Sequence, residues 1–193
     1  MGKTISKEEI SGFNSEEFIG QIYVIDNLAD SEKAVHYLSR FKLLGFDTET
    51  RPTFTKGFHR SVSLVQLSTF DTCFLFRLTG DGFPPALINL LSNPEILKIG
   101  LSLRDDFLSM SRRMKFSPRG FVDLQQIVRN YDIEDISLQK IYAILFNKKI
   151  SKNQRLTNWE AKELTEAQKK YAALDAWACL KIYEYLCPIK KYI

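Results

Sequence analysis

Histidine and cysteine are scarce in this chain of 193 residues, and that scarcity narrows its chemistry first. The two histidines, His36 and His59, are too few to dominate a metal site. The three cysteines, Cys73, Cys179 and Cys187, include no CxxC pair. A thiolate zinc site or a disulfide framework is therefore not what organises the chain, and a reducing compartment is expected. Any metal would be held mainly by oxygen, which favours Mg²⁺ or Mn²⁺. Long apolar runs are also missing. The segment IYAILF, residues 141–146, is far too short to span a membrane. MGKTISKEE at the start lacks the apolar core of a signal peptide. A soluble cytoplasmic protein with no membrane partner is expected, and neither repeats nor low-complexity tracts interrupt the chain.

What is present suits a folded domain. Hydrophobic residues make up 45% and charged residues 26%, close to the globular average, so disorder is not the default. The formal charge of +4 permits an anionic partner without requiring one. Residues 1–19 are polar and read as an N-terminal arm, with a single domain over 20–193. IYVID (22–26) reads as a strand, and Asp30 or Ser31 starts a helix. KLLGFDTE (42–49) reads as a strand, and SVSLVQLST with TCFLFRL as a hairpin. PALINLLSN, LRDDFLSMSRRM and SLQKIYAILF read as helices, EILKIG and FVDL as strands, and two helical pieces end near Leu186. Antiparallel strands followed by alternating helix and strand predict an α/β fold, a mixed sheet flanked by helices.

Three groups of acids stand out. In GFDTET, Asp47 and Glu49 lie two apart on a strand and share a face, while Thr48 points the other way. They form either the floor of a cation site or an exposed strand end with solvated acids. In LTEAQKKYAALDAWACL, the Thr165–Gln168 capping box fixes a helix start. Tyr171, Leu174, Asp175, Ala178 and Ile182 then fall on one stripe. Asp175 on that stripe needs a partner, either the Tyr171 hydroxyl or a metal. In KIGLSLRDDFL, Asp105 and Asp106 diverge in direction, so only one of them suits a shared site. Ser102 and Asp105 could form a local helix cap.

In order and context these segments resemble the DEDDy class of 3′→5′ exonucleases, which includes RNase D, the proofreading domain of bacterial polymerase I and the Werner-syndrome-type exonuclease. The D-x-E motif is matched by Asp47-Thr48-Glu49, and an Asp six residues after a strand-ending glycine by Gly100 and Asp106. The Y-x-x-x-D motif is matched by Tyr171 and Asp175. NQRLTNWEAKELTEAQKKYAALDA is most similar to the Werner-type tract. Ser102 stands where the family often has Asn, and Thr50 where Werner-type chains commonly have Trp.

The resemblance implies an RNase H-like three-layer fold and a 3′→5′ exonuclease using two divalent cations, Mg²⁺ or Mn²⁺. Asp47, Glu49 and Asp175 would hold one ion, Asp47 with Asp106 the second, and Tyr171 would orient the attacking water. The implied partner is nucleic acid, with DNA favoured over RNA. Thr48, Lys152, Arg155 and Trp159 are candidate substrate contacts. Basic residues cluster at Arg51, Lys56, His59 and Arg60, and again at Lys148, Lys149, Lys152 and Arg155. Trp159, Phe54 and Phe58 are either stacking platforms or core. An RNA-trimming exonuclease, a non-catalytic nucleic-acid-binding module and a small-nucleotide hydrolase are the competing readings.

Overall fold

In the computed structural model, which describes residues 2–53, 60–78, 83–113, 115 and 117–188, the chain begins with a short helix α1 (Lys7–Ser11) and a two-residue strand β1 (Asn14–Ser15). There follow β2 (Gln21–Ile25), α2 (Leu28–Leu38), β3 (Leu43–Glu49), β4 (Leu64–Ser68), β5 (Thr72–Arg77) and α3 (Pro85–Leu91). Next come β6 (Leu97–Gly100), α4 (Leu103–Ser111), β7 (Phe121–Asp123) and α5 (Leu124–Val128), which runs into a 3₁₀ turn at Arg129–Tyr131. The chain ends with α6 (Leu138–Phe146), β8 (Lys148–Lys149) and the long α7 (Glu166–Leu186).

Six strands form one mixed sheet in the order β2-β5-β4-β3-β6-β7. The β4–β5 hairpin and the β3–β4 pair are antiparallel, while β2–β5, β3–β6 and β6–β7 are parallel. Side-chain alternation along β3 splits the core in two. Leu44 and Phe46 join a cluster that includes Ala34 and Leu38 of α2, Leu87 and Leu90 of α3, and Met110 of α4. On the other face, Leu64, Leu75 and Ile99 meet Leu124 of α5, Tyr142 of α6 and the inner side of α7. The result is a helix–sheet–helix sandwich, the mixed sheet flanked by helices that the segment order predicts and the three layers that the resemblance implies.

Close approach of α7 to the sheet depends on one glycine. A Cβ at Gly45 would sit 2.0 Å from the Ala176 carbonyl oxygen and 3.1 Å from Leu180 Cβ. Gly45 therefore lets the helix backbone rest directly on β3, next to Asp175 and two residues before Asp47. The predicted capping box at Thr165 and Gln168 is present. Gln168 also reaches back to Thr157 Oγ1 at 3.0 Å and the Asn158 carbonyl at 3.3 Å, which ties the preceding tract to the helix.

Several boundaries differ from the sequence reading. Helix α2 starts before Asp30, because the Asn27 side chain accepts the Asp30 N–H and caps it. Residues 156–164 form turns and α7 is one helix, so the two helical pieces are one. Ser102 does not cap α4 with its side chain; it takes a left-handed conformation at φ 60°. The cap comes from Asp123, whose carboxylate accepts the N–H groups of Ser102 and Leu103 at 3.1 and 3.0 Å.

The segment read as an arm is folded against the rest. Strand β1 pairs in parallel with β8, and Ile10 and Phe18 are buried. Glu16 fixes it further, accepting from Tyr142 Oη at 2.6 Å, Lys148 Nζ at 2.8 Å and Lys181 Nζ at 3.1 Å. Burial alone would raise the Glu16 pKa, but these three donors outweigh it and hold it at about 2. A carboxylate held low stabilises the fold above its unfolded value, and that contribution disappears as pH falls from about 4.5 toward 2. Glu16→Gln should cost about 1–3 kcal/mol in urea unfolding at neutral pH, the range for a lost charged hydrogen bond. An unchanged midpoint would show that the segment is held by apolar contacts alone.

Candidate active site

The acids named by the sequence meet at the C-terminal end of β3, approached from both faces of the sheet. On the α7 side, Asp47 and Glu49 project toward Asp175, and each of the three offers a carboxylate oxygen within 4.8 Å of the others. Glu49 and Asp175 are only 8% and 7% exposed, and Asp47 is half-buried. On the opposite side, Asp106 of α4 accepts a hydrogen bond from the Thr48 hydroxyl. One turn along, Ser109 pairs with Thr50 at 3.1 Å. The strand residues 48 and 50 thus dock against the helix residues 106 and 109, two steps on a strand matching one turn of a helix. Asp105 is exposed, whereas Asp106 is half-buried and takes the Thr48 bond.

Packing so many acids together is unfavourable without cations. Burial, with the Asp175 charge added, lifts the Asp47 pKa well above the ordinary carboxylate range. Burial and then Asp47, Asp175 and Asp106 raise Glu49 to about 10, against a lowering pull from Arg155. Asp175 rises to about 7 through burial, eased by Tyr171 and Lys152. Burial and the Asp47 charge raise Asp106 as well, while the Thr48 bond opposes them. Asp175 Oδ1 is buried with no hydrogen-bond partner. An orphaned carboxylate oxygen among converging oxygens fits a hard divalent cation, which takes oxygen ligands and offsets the repulsion.

Tyr171 is buried beside this triad. Burial, then the charges of Asp175, Glu49 and Asp47, raise its pKa, so the phenol keeps its proton and acts as a donor. Behind it lies Trp159, with ring centroids 6.0 Å apart. Trp159 is fully buried, so the base-stacking role considered for it is corrected: it is a core residue that backs Tyr171.

A cleft of about 280 Å³ opens over the acids, with Leu101, Ser137, Leu138, Gln139 and Ile150 on its walls and Cys179 beside Asp175. Lys152 and Arg155 stand on its rim. Other basic candidates are engaged elsewhere. Arg51 and Arg60 both pair with Glu160, at 3.1 and 3.3 Å. Lys148 pairs with Glu16, and Lys149 donates to the Ser11 carbonyl. Phe54, Lys56, Phe58 and His59 lie outside the described residues. Sequence reasoning missed Asp123, whose place directly before the LQQIV helix was a capping signal. It also missed Glu160, whose two arginine partners are about 100 residues away in the chain. Among the described residues no helix is long and apolar enough to cross a membrane.

The comparisons with known proteins agree with this geometry. Residues 22–189 match the family model described as 3′-5′ exonuclease. The chain is 32% identical over 180 residues to the bifunctional 3′-5′ exonuclease/ATP-dependent helicase WRN of Mus musculus, covering 88% of this chain and 13% of that protein. It is 33% identical over 162 residues to ribonuclease D of Haemophilus influenzae, covering 83% of this chain and 38% of that one. It therefore spans well under half the length of either relative. The crystal structure of Trypanosoma brucei RNase D in complex with RNA U12 superposes with a TM-score of 0.78 at 22% identity, covering 90% of this chain and 65% of that one.

Proposed function

This chain belongs to the 3′-5′ exonuclease family, and we propose that it hydrolyses nucleic acid from the 3′ end, releasing nucleoside monophosphates. The reading includes two divalent cations, Mg²⁺ or Mn²⁺, held by Asp47, Glu49, Asp106 and Asp175. One observation carries it: three carboxylates from β3 and α7, two buried and one half-buried, converge within 4.8 Å beside a protonated tyrosine, under a cleft with a basic rim. We further propose that residues 20–193 act as one exonuclease domain.

Bound cations would neutralise phosphate charge and make water a better nucleophile. The chain's own residues do the rest. Asp47 shares the carboxylate cluster with Glu49 and Asp175, and its charge also acts on Asp106, so we assign it to both halves of the site. Thr48 holds the Asp106 carboxylate in place. The Tyr171 phenol offers a donor that orients the attacking water, and Trp159 packs beside that ring. Lys152 and Arg155 on the rim supply positive charge for the phosphate backbone.

DNA is the favoured substrate, because the tract from Asn153 to Ala176 resembles the Werner type. RNA is the second reading, because ribonuclease D is equally close in identity. A 5′-labelled single strand with Mg²⁺ should give a ladder shortened from its 3′ end, and matched DNA should be consumed faster than RNA. Faster loss of RNA would make the chain a trimming ribonuclease. Turnover of mononucleotide esters with no ladder would make it a small-nucleotide hydrolase.

A further inference from the structure

Three cationic side chains gather beside the catalytic cleft with no carboxylate in ion-pair range among the described residues. Lys152 and Arg155 line the cleft itself. Lys7, exposed at the first position of α1, comes from the opposite end of the chain. Part burial lowers the Lys152 pKa, and the charges of Arg155, Lys7 and Lys140 push the same way against the opposing pull of Asp175. Among the described residues, Lys140 is the one of the four with an ion pair, to Asp135 at 2.7 Å.

The fold holds this repulsion in place. The Ile5 N–H donates to Asp135 Oδ2 at 2.9 Å, the same carboxylate that pairs with Lys140. Ser6 and Glu9 form a capping box around Lys7, which fixes α1 and the direction of its first residue. The β1–β8 pairing and the Glu16 contacts anchor the far end of the segment. The segment also walls a second cleft of about 280 Å³ on the other side of Tyr171, where Ser15 and Phe18 face Asn153 and Gln154. The loop 151–155 thus lies between the catalytic cleft and the N-terminal segment. The N-terminal segment itself, up to Phe18, precedes residue 22, where the family match begins.

We propose that the N-terminal segment is part of the nucleic-acid-binding surface, with Lys7 extending Lys152 and Arg155 into a track for the phosphate backbone of the strand upstream of its 3′ end. The proposal rests on the exonuclease reading for the identity of the ligand, and on the unpaired cations for its path. Like charges held together by rigid structure are stabilised by a polyanion laid across them, and each phosphate contact adds to the salt dependence of binding.

The test is anisotropy titration of a labelled 12-nucleotide single strand in the Asp47→Asn background, so that the strand is not consumed, over a range of KCl concentrations. Lys7→Gln should lower the slope of log Kd against log salt by about 0.7, the single-strand value for one contact. Lys7→Glu should lower it further, and thermal melts of both variants verify folding. Lys33→Glu, on α2 across the sheet, serves as the charge control. A slope for Lys7→Gln and Lys7→Glu equal to that of the control would overturn the track. Degradation by the unsubstituted chain is measured in parallel. If the strand binds with the expected slope change but is never shortened, the exonuclease reading fails while the track stands.

Discussion

Gly45→Ala is expected to cost more activity than its single methyl group suggests. The new Cβ would lie 2.0 Å from the Ala176 carbonyl, a backbone atom that no rotamer change can move aside. Strand β3 cannot yield, because it is paired to β4 on one edge and β6 on the other. Helix α7 must therefore lift, and Asp175 is the neighbour of Ala176. Overpacking of this kind costs about 1–3 kcal/mol of stability. Misplacing a catalytic group by an ångström costs about 100-fold in rate, so activity should fall further than stability. Urea unfolding and initial rates on one preparation measure both. Gly12→Ala, where a Cβ meets only the Glu9 carbonyl at 3.6 Å, should change neither. A folded Gly45→Ala protein with full activity would refute the close-packed reading.

Asp47→Asn should separate stability from activity in opposite directions. Removing the acid assigned to both halves of the site forfeits several kcal/mol of charge stabilisation, a rate loss of roughly 10³-fold or more. It also relieves repulsion on Glu49, Asp106 and Tyr171, each of which feels the Asp47 charge. The metal-free variant should melt higher than the metal-free parent, by about 2–4 °C for each kcal/mol recovered. The pH dependence follows with its sign. Asp175 moves from 3.8 to about 7 on folding, so between those values the folded state keeps a proton that the unfolded chain has lost. Stability of the metal-free parent therefore falls as pH rises from about 4 to 7, and added Mn²⁺ should restore it. Burial raises the pKa of Asp47 too, so Asp47→Asn removes one of the acids that produce this fall; the fall should lessen and the Mn²⁺ effect should be lost. A variant that melts lower than the parent without metal would show that Asp47 serves packing rather than charge.

Local periodicity made most of the architecture legible. The D-x-E spacing on a strand and the Thr165 capping box gave the faces of β3 and the start of α7 directly, because both are set by neighbours in sequence. The single-sided stripe on α7 was too narrow: Ala172, Ala173 and Cys179 are buried as well, since the helix lies between the sheet and α5 and α6. What stayed hidden depends on distant partners. The docking of residues 2–19 rests on Glu16 meeting Lys148 and Lys181, more than 130 residues away. Trp159 could not be assigned to core or cleft until Tyr171 was seen against it. Asp106 was separable from Asp105 only through the Thr48 hydroxyl, which turns the spacer of the D-x-E motif into a link between strand and helix.

The central claim is that acids from two faces of one sheet hold cations for hydrolysis at a 3′ end. Its most direct test is a 5′-labelled oligonucleotide incubated with the parent chain and with Asp47→Asn, each with Mg²⁺, with Mn²⁺ and with excess chelator. The account predicts a 3′-shortened ladder from the parent with cation only. An undiminished ladder in chelator, or from Asp47→Asn, would contradict it.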